Sequence, residues 1–144
     1  MNRKLRVVLI ILYDSENRLL LQHRTTDALT LPDYWAFFGG GIKKGETPMY
    51  AVHREALEEL NCKIKKPILV FEQSFQIERI DGYMYVFIDE YYGNKSVLRL
   101  QEGQGWGWYK ESEIDELKMI DHDREIVKKI SKYLKNKIDN EDEA

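Results

Sequence analysis

The chain has 144 residues, of which 43% are hydrophobic, and this predicts a single domain at residues 1–139 followed by an acidic tail at residues 140–144. Its net charge of −3 disfavours a general nucleic-acid-binding protein and a duplex partner, and its one cysteine, Cys62, excludes an internal disulfide framework and a cysteine-rich zinc site. No apolar run is long enough to cross a membrane and no signal-peptide pattern opens the chain, so a soluble cytoplasmic protein without a membrane partner is expected.

The first forty residues predict two paired strands, a loop and a glycine-rich segment. Arg6–Tyr13 is rich in Val, Ile and Leu and ends at turn residues, and Arg18–Arg24 resumes the apolar pattern as a second strand. Thr25–Tyr34 contains polar residues and a proline, which is typical of a loop. The short apolar segment Trp35–Phe38 leads into Gly39–Gly41, a predicted loop whose backbone can approach a ligand closely.

A helix is predicted to begin at Thr47 and to run to about Leu60. Thr47 is a suitable N-cap, and Pro48 at the first helical position supports the same start. Asn61 follows, and asparagine tolerates the left-handed conformation that often ends a helix. The side chains that we expect to pack against the domain are Val52, Ala56, Leu57 and Leu60.

The second half of the chain predicts more strands and two further helices. The strands are expected at Ile68–Phe71, Phe75–Ile80, Tyr83–Tyr91 and Trp106–Tyr109, with Asp81–Gly82 as a hairpin turn. The helices are expected at Ser112–Leu117 and Asp123–Ile138. Since strands and helices mix along one compact chain, the pattern predicts an α+β or layered α/β/α fold.

Three carboxylates in the first predicted helix carry the chemical argument. Glu55, Glu58 and Glu59 lie at helical positions i, i+3 and i+4, which share one face. Like charges at these positions repel, and a solvated helix face would be the ordinary interpretation. Converging carboxylates on a rigid helix also provide oxygen ligands for a hard divalent cation, which can bind phosphate and activate water. Glu46 before the helix and Arg54 within it would form an ion pair that fixes the preceding loop.

The segment from Gly40 to Cys62 resembles the Nudix box, G-x5-E-x7-R-E-U-x-E-E-x-G-U, in which U is a bulky aliphatic residue. The matching positions are Gly40, Glu46, Arg54, Glu55, Glu58 and Glu59. The departures are Ala56, Asn61 and Cys62, which concern helix packing and helix ending rather than ligands. The resemblance implies a Nudix-like α/β/α sandwich with a mixed β-sheet between helices.

The resemblance also implies roles for the matching residues. Glu58 and Glu59 would be direct metal ligands, Glu55 a ligand or the general base, and the backbone of Gly39 or Gly40 would complete the coordination. Glu46 and Arg54 would be structural. MutT-type members carry a further glutamate within Glu-Gly-Gln, so Glu102 in this chain would be another ligand or the base. The cofactor would be Mg²⁺, with Mn²⁺ as a substitute.

Residues outside the box are candidates for substrate binding. By position, Arg24 resembles a phosphate-binding arginine of MutT-type enzymes, although a surface arginine at a strand end is equally consistent. Phe37 is a candidate for stacking on a base. Asp121 and Asp123 open the last predicted helix, where MutT-type enzymes contact the purine, and capping of the helix is the competing interpretation.

The resemblance implies a hydrolase in which metal-activated water cleaves a diphosphate linkage of a small nucleotide. A MutT-like pyrophosphohydrolase acting on a purine nucleoside triphosphate, including an oxidised one, is the first choice. The alternatives are an ADP-ribose or nucleotide-sugar diphosphatase and a non-catalytic Nudix domain that only binds ligand. A monomer and a homodimer are both compatible with the sequence.

Overall fold

The computed structural model describes residues 3–100 and 103–143, which form one mixed sheet with helices on both of its faces. The strands are β1 (Arg3–Tyr13), β2 (Leu19–His23), β3 (Trp35–Ala36), β4 (Phe38–Gly41), β5 (Ile68–Ile77), β6 (Ile80–Glu90) and β7 (Gly105–Tyr109). The helices are α1 (Pro48–Leu60), α2 (Glu111–Ile114) and α3 (Asp121–Glu143), with a short 3₁₀ turn at Lys95–Val97.

The sheet has the order β3-β2-β1-β6-β5, with β4 also paired to β1 and β7 to β2. β1 and β6 run parallel from Arg3 opposite Ile80 to Tyr13 opposite Glu90, and the other pairs are antiparallel. The parallel pair lies at the centre of the sheet, where both faces are covered, as parallel strands require.

Alternation along β1 divides the core into two layers. Ile11 and Tyr13 pack on the face that carries α2 and α3, whereas Ile10 and Leu12 pack on the face that carries α1. All four side chains are almost completely buried. The predicted α/β/α sandwich with a mixed sheet is therefore confirmed.

The strands β1 and β2 separate towards the start of β1. They share one registered pair, Tyr13 opposite Leu19, whereas β4 pairs with β1 between Val7 and Ile10. The edge of β1 thus changes partner from β2 to β4 along its length. This divergence opens the sheet between β1 and β2 and leaves room for a cavity.

Helix α1 begins and ends as the sequence predicts. The Thr47 side chain accepts a hydrogen bond from the backbone N–H of Tyr50 at 3.1 Å, and Pro48 is the first helical residue. Asn61 adopts the left-handed conformation at φ 52°, and its backbone N–H donates to the Leu57 carbonyl. Both caps use contacts within a few residues, which is why the sequence alone predicts them.

One predicted packing residue of α1 and the predicted glycine loop are wrong. Leu57 is 56% exposed, because the buried face of the helix consists of Ala51, Val52, Glu55, Ala56 and Leu60. Gly39–Gly41 lie in strand β4 rather than in a loop, since their backbone pairs with β1.

The predicted hairpin turn at Asp81–Gly82 is also wrong. The turn lies at Glu78–Arg79, where Glu78 has a φ of 56°, and Gly82 is inside β6. A Cβ atom at Gly82 would lie 2.4 Å from the Leu5 carbonyl oxygen and 2.6 Å from the Phe75 ring. This glycine therefore serves packing between strands rather than a turn.

Other boundaries differ by smaller amounts. The two strands predicted between residues 68 and 80 form the continuous β5 up to Ile77, α2 is shorter than predicted, and α3 begins at Asp121. The predicted acidic tail lies within α3 as far as Glu143. Within the part of the chain that the structure describes, no helix has the length and apolar character needed to cross a membrane.

Asp14, directly after β1, is a buried carboxylate surrounded by donors. It accepts hydrogen bonds from the backbone N–H groups of Glu16 and Arg18, from Arg18 Nε at 2.7 Å and from Lys95 Nζ at 2.7 Å. Burial by itself would raise the pKa of Asp14, but the hydrogen bonds, first that of Lys95, outweigh burial and lower the pKa to about 2.

We predict that Asp14 makes the stability of the fold depend on pH in the acid range. Because its folded-state pKa is depressed, its contribution is fully present above the unfolded value of 3.8 and is lost as the pH falls towards about 2. Asp14→Asn should lower the free energy of unfolding at pH 7 by about 2 kcal/mol. Urea unfolding from pH 7 to pH 2 should show this difference shrinking, whereas the exposed Asp27→Asn should match the wild type throughout. A difference that stays constant with pH would contradict the assignment.

Candidate active site

Helix α1 lies against β4 so that two of its glutamates face the glycine backbone. The Glu59 carboxylate accepts a hydrogen bond from the backbone N–H of Gly39 at 3.0 Å. The Glu55 carboxylate fills the space where Gly40 has no side chain, since a Cβ atom there would lie 2.4 Å from Glu55 Oε1. The glycines therefore let the helix carboxylates approach the sheet closely.

Arg54 connects four groups of the same region. It holds Glu46 through a bidentate ion pair, Nε to Oε2 at 2.6 Å and Nη2 to Oε1 at 2.8 Å, and Nη2 also donates to the Gly41 carbonyl. Its Nη1 donates to Glu55 at 2.8 Å and to Glu58 at 3.1 Å. The structure thus contains the ion pair expected from the sequence, and it adds two contacts to the box carboxylates.

These contacts shift the protonation equilibria of the ion pair. The Arg54 guanidinium holds the pKa of Glu46 down at about 2, and the Glu46 carboxylate in turn raises the pKa of Arg54. Both groups are therefore charged throughout the physiological range. The loop between β4 and α1 remains tied to the helix at any ordinary pH.

The three box carboxylates differ in exposure. Glu55 is buried, Glu59 is partly buried, and the Glu58 side chain is 54% exposed beside Arg54. Among residues 3–100 and 103–143, no three acidic, histidine or cysteine side chains are placed as a ready metal cage. The donor set nevertheless fits a hard divalent cation, because Glu55 and Glu59 present carboxylate oxygens beside glycine backbone and Glu58 lies exposed on the same helix.

A cavity of about 240 Å³ adjoins this region. It lies where β1 and β2 separate, on the α3 face of the sheet, and Gly39, Gly40 and Glu59 form one end of it. Its other lining residues are Leu5, Val7, Leu9, Gln22, Arg24, Thr30, Leu31, Ala36, Phe37, Phe75, Ile77, Ile80, Met84 and Asp123. An apolar cavity with a few polar groups is the usual form of a small-molecule site.

The structure brings three of the four predicted substrate residues to this cavity. Arg24 lines it, held by hydrogen bonds from Nε to the Thr30 carbonyl and from Nη2 to Thr30 Oγ1. Phe37 and Asp123 also line it, and Asp123 is buried with its carboxylate 3.2 Å from His122 Nδ1.

Asp121 and Glu102 are not placed at the cavity. Asp121 is exposed and does not line it, because it lies two residues before Asp123 on α3 and therefore on another side of the helix. Glu102 falls outside the described residues.

The sequence reasoning missed Gln22 and the loop residues Thr30 and Leu31. Gln22 is buried in β2 directly after three leucines, and its Nε2 donates to the Phe37 carbonyl at 2.9 Å. The sequence signal for Gln22 is a polar residue that directly follows the buried leucines Leu19–Leu21 in the same strand. No local pattern marks Thr30 and Leu31, which line the cavity only because the loop folds back over it.

A sequence model described as the NUDIX domain matches residues 3–130. The chain is 35% identical over 80 residues to an NAD-capped RNA hydrolase NudC of Chromobacterium violaceum, an alignment that covers 54% of this chain and 29% of that protein. It is 39% identical over 56 residues to an RNA pyrophosphohydrolase of a Sulfurovum species, which covers 39% of this chain and 33% of that protein. The chain thus matches about a third or less of the length of each of these relatives.

Solved structures have the same fold at low sequence identity. A MutT protein from Methanosarcina mazei superposes with a TM-score of 0.80 at 17% identity and covers 93% of this chain and 97% of its own. The NUDIX domain of Shewanella oneidensis NrtR, solved with ADP ribose, superposes with a TM-score of 0.77 at 12% identity and covers 93% and 90%. At these identities the likeness concerns the fold alone.

The three consecutive glycines should respond differently to alanine. A Cβ atom at Gly39 would lie 2.1 Å from the backbone oxygen of Val8, so Gly39→Ala should cost about 3 kcal/mol of unfolding free energy. Gly40→Ala should cost about 1 kcal/mol, because the Glu55 side chain can move but loses its bond to Arg54. Gly41→Ala should be neutral, since nothing lies within 4 Å. Urea unfolding measures all three variants.

A double-mutant cycle separates the Gly40 effect from general strain. In a Glu55→Ala background the space beside residue 40 is empty, so Gly40→Ala should cost nothing further. Equal costs in both backgrounds would show that Glu55 is not what Gly40 accommodates.

Proposed function

The chain belongs to the NUDIX domain family, and we propose that it is a Mg²⁺-dependent hydrolase that cleaves a diphosphate linkage in a nucleotide. One observation carries the proposal. Glu59, Gly39 and Gly40 line a cavity whose other polar groups include Arg24, and the Glu55 carboxylate lies against Gly40. The carboxylates proposed to bind the metal would thus lie beside the cavity proposed for the substrate.

Glu55, Glu58 and Glu59 would hold the metal, with help from the backbone of Gly39 or Gly40, and Mn²⁺ would serve in place of Mg²⁺. The bound cation would offset charge on the diphosphate and promote ionisation of the attacking water. Glu55 or Glu102 would accept the proton of that water. Arg54 and Glu46 would keep the helix and its preceding loop in place without contacting the substrate.

The cavity would take the nucleoside part of the substrate. Arg24 uses its Nε and one Nη2 hydrogen bond on Thr30, which fixes its guanidinium and leaves further N–H groups for a phosphate oxygen. The apolar lining, with Phe37 and Phe75, suits a flat base. Asp123 would accept hydrogen bonds from the base, which favours a base with amino or imino donors. We therefore place a purine nucleoside triphosphate, including an oxidised one, first among substrates.

We predict Mg²⁺-dependent hydrolysis of at least one member of a substrate panel, measured as pyrophosphate or phosphate released from a triphosphate and as the two phosphomonoesters formed from ADP-ribose, a dinucleotide or a nucleotide sugar. The panel contains nucleoside triphosphates, oxidised purine nucleotides, ADP-ribose and nucleotide sugars. It also contains NAD-capped RNA and RNA with a 5′-pyrophosphate linkage, which follow the names of the two relatives, an NAD-capped RNA hydrolase and an RNA pyrophosphohydrolase. Glu59→Gln should lower kcat by about 100-fold or more because it removes a charged ligand, while the melting temperature stays the same.

Glu125→Gln is the matched control for Glu59→Gln, because the Glu125 side chain on α3 is 66% exposed and does not line the cavity. This control should retain the wild-type rate. A Glu59→Gln variant with wild-type turnover would overturn the metal assignment, and a wild type inactive on the whole panel would overturn the hydrolase proposal. pH–rate profiles of Glu55→Gln and Glu102→Gln distinguish the two candidate bases, since only loss of the base removes the acidic limb.

Asp123→Asn should alter recognition rather than chemistry. Replacing a charged acceptor with an amide should raise KM for a purine nucleoside triphosphate by about tenfold or more and change kcat little. Asp121→Asn is the matched control, because it removes a charge from the same helix turn but from an exposed side chain. Equal effects of the two substitutions would assign Asp123 to the helix terminus rather than to the base.

A further inference from the structure

Gln104 fastens both ends of the loop formed by residues 25–34. Its backbone N–H donates to the His23 carbonyl at 2.8 Å. Its side-chain Nε2 lies 2.8 Å from the Arg24 carbonyl and 3.0 Å from Asp33 Oδ1. Gln104 lies 80 positions after Arg24 and 71 after Asp33, and it thus joins the segment that enters the loop to the segment that leaves it.

The approach of this residue to β2 depends on the preceding glycine. Gly103 has a φ of 87°, which L side chains rarely adopt, and a Cβ atom there would lie 2.8 Å from the His23 carbonyl oxygen. The turn at Gly103–Gln104 therefore lies directly on the end of β2. The Gln104 amide reaches its acceptors from a fixed backbone position.

The chemistry of the cluster assigns its protons. The Gln104 amide has two N–H groups, and the Arg24 carbonyl and the Asp33 carboxylate can only accept. His23 Nε2 lies 2.9 Å from Asp33 Oδ1, to which it donates in its Nε2-protonated tautomer, and 3.2 Å from Gln104 Nε2. Asp33 Oδ1 is then a shared acceptor for His23 and Gln104, and Lys118 Nζ lies 3.7 Å from its other oxygen.

The loop that this cluster closes forms part of the cavity wall. Thr30 and Leu31 line the cavity, and Thr30 also orients the Arg24 guanidinium. Leu31 and Asp33 have φ values of 46° and 64°, a conformation that is costly for side chains other than glycine. Such a conformation persists only where surrounding contacts enforce it, and the Gln104 amide supplies one of these contacts at Asp33.

We propose that Gln104 is a positioning residue that sets the substrate-facing wall of the cavity by clamping the ends of loop 25–34. The proposal rests on the nucleotide hydrolase function proposed above for the kinetic part of its test. Gln104 does not touch the substrate. It acts through Arg24 and through the loop residues that line the cavity.

Two substitutions of Gln104 test whether its hydrogen bonds, rather than the volume of its side chain, hold the loop in place. Gln104→Met keeps the length of the side chain and removes the donors, so it should release the loop. Gln104→Lys keeps donors at a similar reach and should preserve the clamp, because an ammonium group can donate to the Arg24 carbonyl and to Asp33. Gln76→Met, at an exposed glutamine of β5, is the matched control for the Met substitution.

The kinetic experiment measures KM and kcat separately, with the purine nucleoside triphosphate that the wild type hydrolyses fastest in the panel. Gln104→Met should raise KM about tenfold with kcat within a few-fold of the wild type, and Gln104→Lys should stay close to wild type. An unchanged KM in Gln104→Met, or an equal rise in both Gln104 variants, would overturn the proposal.

Amide hydrogen exchange tests the clamp without reference to turnover. In Gln104→Met, exchange in residues 25–34 should accelerate while the core of β1 and β6 keeps its protection. Unchanged exchange in this loop would overturn the proposal even in an active enzyme. A wild type without turnover would instead overturn the hydrolase function, and the exchange result would still decide whether Gln104 clamps the loop.

Discussion

The arrangement of the site depends on the hydrogen bonds that the Arg54 guanidinium donates to neighbouring carboxylates and backbone. Three glutamates at helical positions i, i+3 and i+4 repel one another, and a fourth carboxylate, Glu46, lies in the adjoining loop. Arg54 donates to Glu46, Glu55 and Glu58 and to the Gly41 carbonyl, so one planar cation offsets part of this repulsion. A lysine at position 54 could not form the same set of hydrogen bonds, because an ammonium group lacks the planar, rigid array of N–H donors that lets a guanidinium bond to several acceptors at once. The loop, the helix and β4 therefore have a common electrostatic anchor.

The pairing of the sheet strands is a second constraint on the site, because it determines where a cavity can form. Because β1 changes partner from β2 to β4, a cavity opens beside the strand that carries the glycines, and Glu59 borders both the helix face and the cavity. The proposed reaction and the proposed recognition are thus performed by different elements. Helix α1 and β4 would provide the chemistry, whereas the loop after β2 and the first turn of α3 would provide the contacts to the nucleoside.

The sequence predicts features that depend on neighbouring residues, but not those that depend on contacts between distant parts of the chain. The caps of α1 depend on Thr47, Pro48 and Asn61 alone, and the prediction was correct. Gly82 resembles a turn residue in sequence, but its need for glycine comes from the distant Leu5 backbone and Phe75 ring. Asp123 and Asp121 are equivalent in sequence, and only the packing of α3 turns one towards the cavity. The box spacing predicted which carboxylates share α1, but not the contact of Glu55 with Gly40.

The box region and loop 25–34 differ in how tightly they are held, and this difference affects which part of the cavity can change between proteins of this fold. Within the box region Glu55 is buried and Arg54 donates to four groups, so a substitution at either residue disturbs several contacts at once. Loop 25–34 connects the paired strands β2 and β3 and is tied at its ends by backbone hydrogen bonds from Arg24 to Tyr34 and from Asp33 to Thr25, as well as by the Gln104 amide. The residues that it places on the cavity lie between these ends. Changes in this loop and at the start of α3 can therefore reshape the cavity while the carboxylates on α1 remain in place. In the proposed reaction, the elements around β2 and α3 would recognise the group beyond the diphosphate, and the motif on α1 would carry almost no information about that group.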